Sequence, residues 1–157
     1  MKNKLAFLIY VAILSGCTST TVEDQYTGLP LTQNAMQSAK WKQLNRFPAR
    51  YPMKAAMGSI EGCATIEYVI TPQNEIRDIN VITATNKLFA SAASEVINKW
   101  KWSELPQNVT KVPVKTQTRF DFCFDQPDQS CVTVKPEYSC PSEDIVYSTG
   151  MRIKVNN

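Results

Sequence analysis

The side chains able to carry chemistry in this 157-residue chain are few, and its five cysteines lead them: Cys17, Cys63, Cys123, Cys131 and Cys140. Histidine is absent. Without imidazole there is no Ser-His-Asp or Cys-His nucleophile, no His-ligated metal and no ring that titrates near neutrality. The last four cysteines have the spacing C-x59-C-x7-C-x8-C, which lacks the close pairs of a zinc site and contains no C-x-x-C redox motif. Glu61 and Glu67 could donate a proton, but nothing places a second carboxylate beside either one. Glu143-Asp144 reads as a solvated pair. Trp100, Trp102, Phe120, Phe122 and Phe124 could line a ligand cavity, yet aromatics alternating on a strand and closing a helix are better read as core. These residues predict no enzyme, metal site or cofactor. A net charge of +3, from 17 basic and 14 acidic residues, gives no concentrated basic face for nucleic acid. A hydrophobic content of 43% is enough for one packed domain.

Cys17 stands apart from the other four by position. The chain opens with Lys2 and Lys4, runs without charge from Leu5 to Leu14, and then reads Ser15-Gly16-Cys17. A short basic start, an apolar run and small residues make a secretory signal peptide over residues 1–16. As a helix the apolar run would reach about 15 Å, half of the roughly 30 Å hydrocarbon core, so it is too short for a comfortable membrane span. Leu14-Ser15-Gly16-Cys17 resembles a bacterial lipobox. That resemblance implies cleavage before Cys17 and lipidation of its sulfur, and Thr18 in place of Asp implies sorting to the outer membrane. The expected location is the cell envelope, lipid-anchored and facing the periplasm, with the inner membrane as the alternative. Export leaves Cys63, Cys123, Cys131 and Cys140 where disulfides persist.

The elements that must position these residues are read from periodicity. Residues 17–45 read as a lipid-anchored tether, polar and Thr-rich to residue 34, with a short helix over 35–46 that Phe47-Pro48 ends. Gly62 to Ile70 alternates: Ala64, Ile66, Tyr68 and Ile70 share one face, and Cys63, Thr65, Glu67 and Val69 the other. Thr71 to Glu75 reads as a turn with Asn74 left-handed, and a second strand runs from Ile76 to about Thr83. Asn86 to Trp102 has helical spacing, with Asn86 as N-cap. A third strand covers about Val112 to Phe124. The order strand, strand, helix, strand predicts an α+β fold: a three-stranded antiparallel sheet of order 2-1-3 with one packed helix. The domain spans 46–125, and a disulfide-stapled extension covers 126–157. Residues 145–155 suggest a small hairpin around Ser148-Thr149-Gly150.

In this arrangement Cys63 begins the first strand and Cys123 ends the third, on the face away from the helix. Antiparallel neighbours would set them side by side, closing a loop worth roughly 4 kcal/mol in the chain-entropy view. Cys131 and Cys140 would then pair by elimination. Cys123 with Cys131 is the sequence-local alternative.

Tyr51-Pro52, Ala55-Ala56, Glu61-Gly62, the alternating strand, Thr71-Pro72, Val81, Ala92-Ala93 and Lys99-Trp100-Lys101-Trp102 together resemble the TonB C-terminal domain over roughly residues 50–124. The resemblance implies a periplasmic module that binds an outer-membrane or periplasmic protein by adding a peptide strand to a sheet edge. The third strand is the expected edge, through Thr116, Gln117, Thr118, Arg119, Phe120 and Asp121, with Arg50 and Tyr51 beside it. Polar side chains and Arg119 there could equally guard an edge against aggregation. Energy-transducing members have a transmembrane helix and a long Pro-rich linker, and this sequence departs from both. It therefore suggests an accessory to TonB-dependent transport. A structural envelope lipoprotein and an unusually short energy transducer are the alternatives.

Overall fold

The computed structural model describes residues 26–134 and 136–151, so the signal peptide, the lipobox and Cys17 lie outside the described residues. Helix α1 (Met53–Met57) starts at Pro52, whose fixed φ suits a helix entrance. Strands β1 (Gly62–Ile70) and β2 (Ile76–Ala84) form the expected hairpin, and Asn74 takes the left-handed conformation at φ 60°. Helix α2 (Lys87–Lys99) begins where the Asn86 side chain accepts the backbone N–H of Leu88 at 2.9 Å. It ends three residues before Trp102, whose own segment Trp102–Glu104 is a separate 3₁₀ turn. Strand β3 (Val114–Phe124) returns antiparallel to β1.

Helix α2 packs on the face that carries Ala64, Ile66, Tyr68, Ile70, Phe120 and Phe122, all fully buried. Phe89 stacks on Phe122 with ring centroids 4.4 Å apart. Tyr51 meets Phe89 and Phe122 edge-on. Each such aromatic contributes roughly 1.5–3 kcal/mol of apolar burial, so this layer carries much of the fold's stability.

The order 2-1-3 is present, but the sheet continues. Strand β4 (Ile145–Gly150) pairs parallel with β3, giving a mixed sheet β2-β1-β3-β4. Parallel neighbours need a crossover. Here residues 125–144 supply it, with one 3₁₀ turn at Cys131–Thr133 among the described residues, crossing the face of the sheet opposite α2. Thr65 Oγ1 donates to the Pro141 carbonyl at 2.5 Å, Arg119 to the Cys140 carbonyl at 3.0 Å and Ser142 Oγ to the Gln117 carbonyl at 3.1 Å. This cover explains why Cys63, Thr65 and Asp121, on the side expected to meet solvent, are buried. The expected hairpin at 148–150 is instead the end of β4, which runs unbroken through Ser148, Thr149 and Gly150.

The disulfides correct the expected pairing. Cys63 joins Cys140, and Cys123 joins Cys131. The register supplies the reason: Cys63 lies opposite Asp121, so Cys123 is two residues further along β3. On one face that is a diagonal of about 7–8 Å, beyond the reach of a disulfide. The crossover brings Cys140 over Cys63 instead.

The segment read as tether and helix also differs. Residues 26–46 are packed against the domain, through 3₁₀ turns Ala35–Gln37 and Ala39–Trp41. Met36, Trp41 and Leu44 join the core, and Trp41 meets Trp102 edge-on at 6.4 Å. Three buried apolar side chains outweigh the polar composition around them, which is why composition alone suggested a tether.

Candidate functional site

The expected binding edge is β3, and the structure closes it. In β3 the backbone groups of Lys115, Gln117, Arg119 and their alternate successors face away from β1. The Lys115 carbonyl accepts the N–H of Thr32 at 2.8 Å. The Gln117 carbonyl accepts Ser142 Oγ. The N–H of Arg119 donates to the Asp144 carbonyl at 2.8 Å, and from there β4 continues the ladder to Phe124. The expectation of a free edge at 116–121 is therefore corrected: segments from both sides of the domain in sequence occupy it. An uncovered strand of this length would expose a row of unpaired donors and acceptors, which folded chains avoid by such covers.

The individual side chains reflect that closure. Thr116, Thr118 and Phe120 face the α2 side and are fully buried. Thr116 Oγ1 donates to the Thr32 carbonyl at 3.1 Å. Arg119 and Asp121 face the crossover and bind each other through two bonds, Nε to Oδ1 at 2.6 Å and a terminal nitrogen to Oδ2 at 2.8 Å. Arg119 thus neither guards an open edge nor reaches outward; it holds the Cys140 segment down. Gln117 Nε2 donates to Glu67 at 2.9 Å. Tyr51 is a packing residue whose hydroxyl donates to the Ile60 carbonyl at 2.6 Å. Arg50 alone of the expected set is well exposed, beside a small groove between Phe47 and α2.

A polar relay behind β3 was not visible in the sequence. Arg46 donates to both carboxylate oxygens of Asp144, at 2.9 and 2.6 Å. Thr118 Oγ1 donates to the same carboxylate at 2.7 Å, and Tyr68 meets Thr118 at 3.0 Å. Since the one hydroxyl proton of Thr118 goes to Asp144, Tyr68 is the donor to Thr118. Burial pushes the Tyr68 hydroxyl pKa well above the ordinary tyrosine value, against the opposing pull of its bond to Thr118. Arg46 also lies over the Trp100 ring at 4.9 Å. Asp144, read from sequence as solvated, is nearly fully buried. No local signal marks the pair, because 98 residues separate its members.

With β3 closed, two strand edges end the sheet among the described residues: β2 and β4. The crossover also shapes a surface cavity of about 730 Å³ beside the Cys123–Cys131 bridge, lined by Glu61, Phe124, Gln126, Val134 and Tyr138 among others. Burial raises the pKa of Tyr138 there, with Asp121 and Glu61 adding to it. Among the described residues no group of three or more acidic or cysteine side chains is placed to hold a metal ion. No described helix is long and apolar enough to cross a membrane. What the arrangement can do is present strand edges and a disulfide-clamped surface to another polypeptide.

Residues 48–124 match the family model described as the Gram-negative bacterial TonB protein C-terminal. The match takes in β1, β2, α2 and all of β3, and stops where the crossover begins. No curated protein and no solved structure matches the chain.

Proposed function

We propose, from the premise that residues 48–124 are a TonB C-terminal domain, that this protein is a lipid-anchored periplasmic module accessory to TonB-dependent transport. The resemblance to this family implies a non-catalytic domain that acts by binding outer-membrane receptors. The family match over a complete β2-β1-β3 sheet with its packed helix carries the reading. Binding is by strand addition: a peptide of an outer-membrane partner pairs with an edge of the sheet. The sequence Leu14-Ser15-Gly16-Cys17 supports an acyl anchor at Cys17, with the outer membrane as its destination.

A second reading, a structural envelope lipoprotein, gains support from the closed edge of β3, since a chain that covers its own edge has less need of a partner there. Two measurements separate these readings. Intact-mass analysis of membrane-extracted protein is expected to show cleavage before Cys17 and an acylated N-terminus; a mature protein that keeps Met1-Lys2 refutes the anchor and favours a short transducer. Titration with synthetic peptides from the periplasmic N-termini of TonB-dependent receptors is expected to give saturable binding. Crosslinks to peptidoglycan alone would favour the structural reading.

A further inference from the structure

We infer that a partner strand docks on the outer edge of β4 and leaves β3 covered. This rests on the strand-addition reading and names the site for it. In the parallel register Arg119 lies opposite Ile145 and donates to the Asp144 carbonyl, so the even-numbered residues of β4 bond toward β3. The backbone N–H and C=O groups of Ile145, Tyr147 and Thr149 therefore point outward. The strand Ile-Val-Tyr-Ser-Thr-Gly carries no charge and no proline, the features that usually blunt an edge.

Three observations favour β4 over the other edges. First, β4 is fixed in place. Its entry is clamped by Cys63–Cys140 and by the buried bond of Asp144 to Arg46, while Val146 and Ser148 pack inward. A competing peptide would have to break these to reach β3. Second, β2 is a poor template. Its pairing with β1 shifts register twice, and Asp78 adopts φ 49°, so its ladder is kinked where a straight partner would lie. Third, the far end of β4 opens on a second cavity of about 450 Å³, formed by Asp125, Gln126, Pro127, Thr149, Gly150 and Met151. A side chain of an added strand can enter it.

The occupant is an extended segment of another protein. Pairing two copies along six residues would bury only a few hundred Å², short of the roughly 1,000 Å² that a stable dimer needs. A peptide needs no such area from the edge alone, because it can fill the cavity and wrap further.

The test uses the full ectodomain with its disulfides intact and ¹⁵N-labelled, titrated with receptor N-terminal peptides. Amide exchange at Ile145, Tyr147 and Thr149 is expected to slow about ten-fold on saturation, with Arg119, Asp121 and Cys123 unchanged. Tyr147→Pro removes an outward N–H and should weaken binding by about ten-fold. The double variant Cys63→Ala/Cys140→Ala loosens the entry of β4 and should bind no more tightly than the native protein. If β4 amides instead lose protection and the double variant binds more tightly, the partner enters beside β3; the inference is overturned and strand addition stands. If the three β4 amides are already protected without peptide, another part of the chain holds that edge, and the inference is likewise overturned. If no receptor peptide binds, the strand-addition reading falls and the inference falls with it.

Discussion

Asp144 joins three elements through one residue: its carboxylate takes Arg46 and Thr118, and its carbonyl takes the N–H of Arg119. Removing it leaves the Arg46 guanidinium, only 18% exposed, without its counter-charge. Asp144→Ala should therefore cost about 3 kcal/mol, the lower end of the range for breaking a buried pair, because Arg46 keeps some solvent. Urea unfolding monitored by tryptophan fluorescence measures it. Tyr68 gives a pH signature. Its folded pKa is raised above the unfolded value of about 10, so the unfolded chain releases the proton first. The stability it contributes is intact below pH about 10 and falls as pH rises through the folded pKa. Tyr68→Phe should unfold along a shallower alkaline slope than the native protein when melting is tracked upward from pH 9. Tyr138 titrates in the same direction and serves as the internal comparison. None of this was legible residue by residue. Acidic neighbours near a C-terminus look solvated, and only the folded chain shows that Asp144 has left water.

At the scale of elements, legibility tracks how local the causes are. Period-two alternation located β1 and β3, and three-four spacing located α2 together with its Asn86 cap, because those patterns lie within the segments themselves. The parallel pairing of β4 depends on a partner some 26 residues back, with no amphipathic helix pattern between to mark a crossover, so the sequence suggested only a hairpin. The packed arm at 26–46 was hidden for a similar reason: Trp41 and Met36 stand singly among polar residues. The join between β4 and the core can be tested at one position. A methyl group on Gly150 would lie 2.7 Å from the Tyr51 ring and 2.9 Å from Phe124. Gly150→Ala should thus lower stability by about 1–3 kcal/mol, the usual cost of overpacking. Hydrogen exchange should speed up at Ser148 and Gly150 while β1 is unaffected.

For the molecule as a whole, the recognisable domain ends at Phe124, and the residues beyond it turn a three-stranded sheet into a covered one. The clamp responsible spans 77 residues of sequence, against 8 for the second bridge. In the chain-entropy view the first stabilises by about 4.5 kcal/mol and the second by about 2.5 kcal/mol. Replacing Cys63 and Cys140 by alanine should therefore lower the urea midpoint more than replacing Cys123 and Cys131. Peptide mapping without reduction should recover Cys63–Cys140 and Cys123–Cys131. The even set of four cysteines was legible; their partners were not, because pairing turned on a two-residue register offset and on a crossover that no local pattern announces.

The two bridges are nested, the outer one joining the first and last of the four cysteines and enclosing the inner one entirely. A chain entering the periplasm N-terminus first presents Cys63, then Cys123, well before Cys140 emerges. Oxidation in order of arrival would join those first two before β1 and β3 pair, because the native register sets them two residues apart and out of each other's reach. The native links can form only if oxidation waits for the last cysteine or if an early wrong bond is reshuffled. Oxidative refolding should therefore run faster with a disulfide-exchanging catalyst present, and without one the protein should accumulate a Cys63–Cys123 link with its final strand unseated.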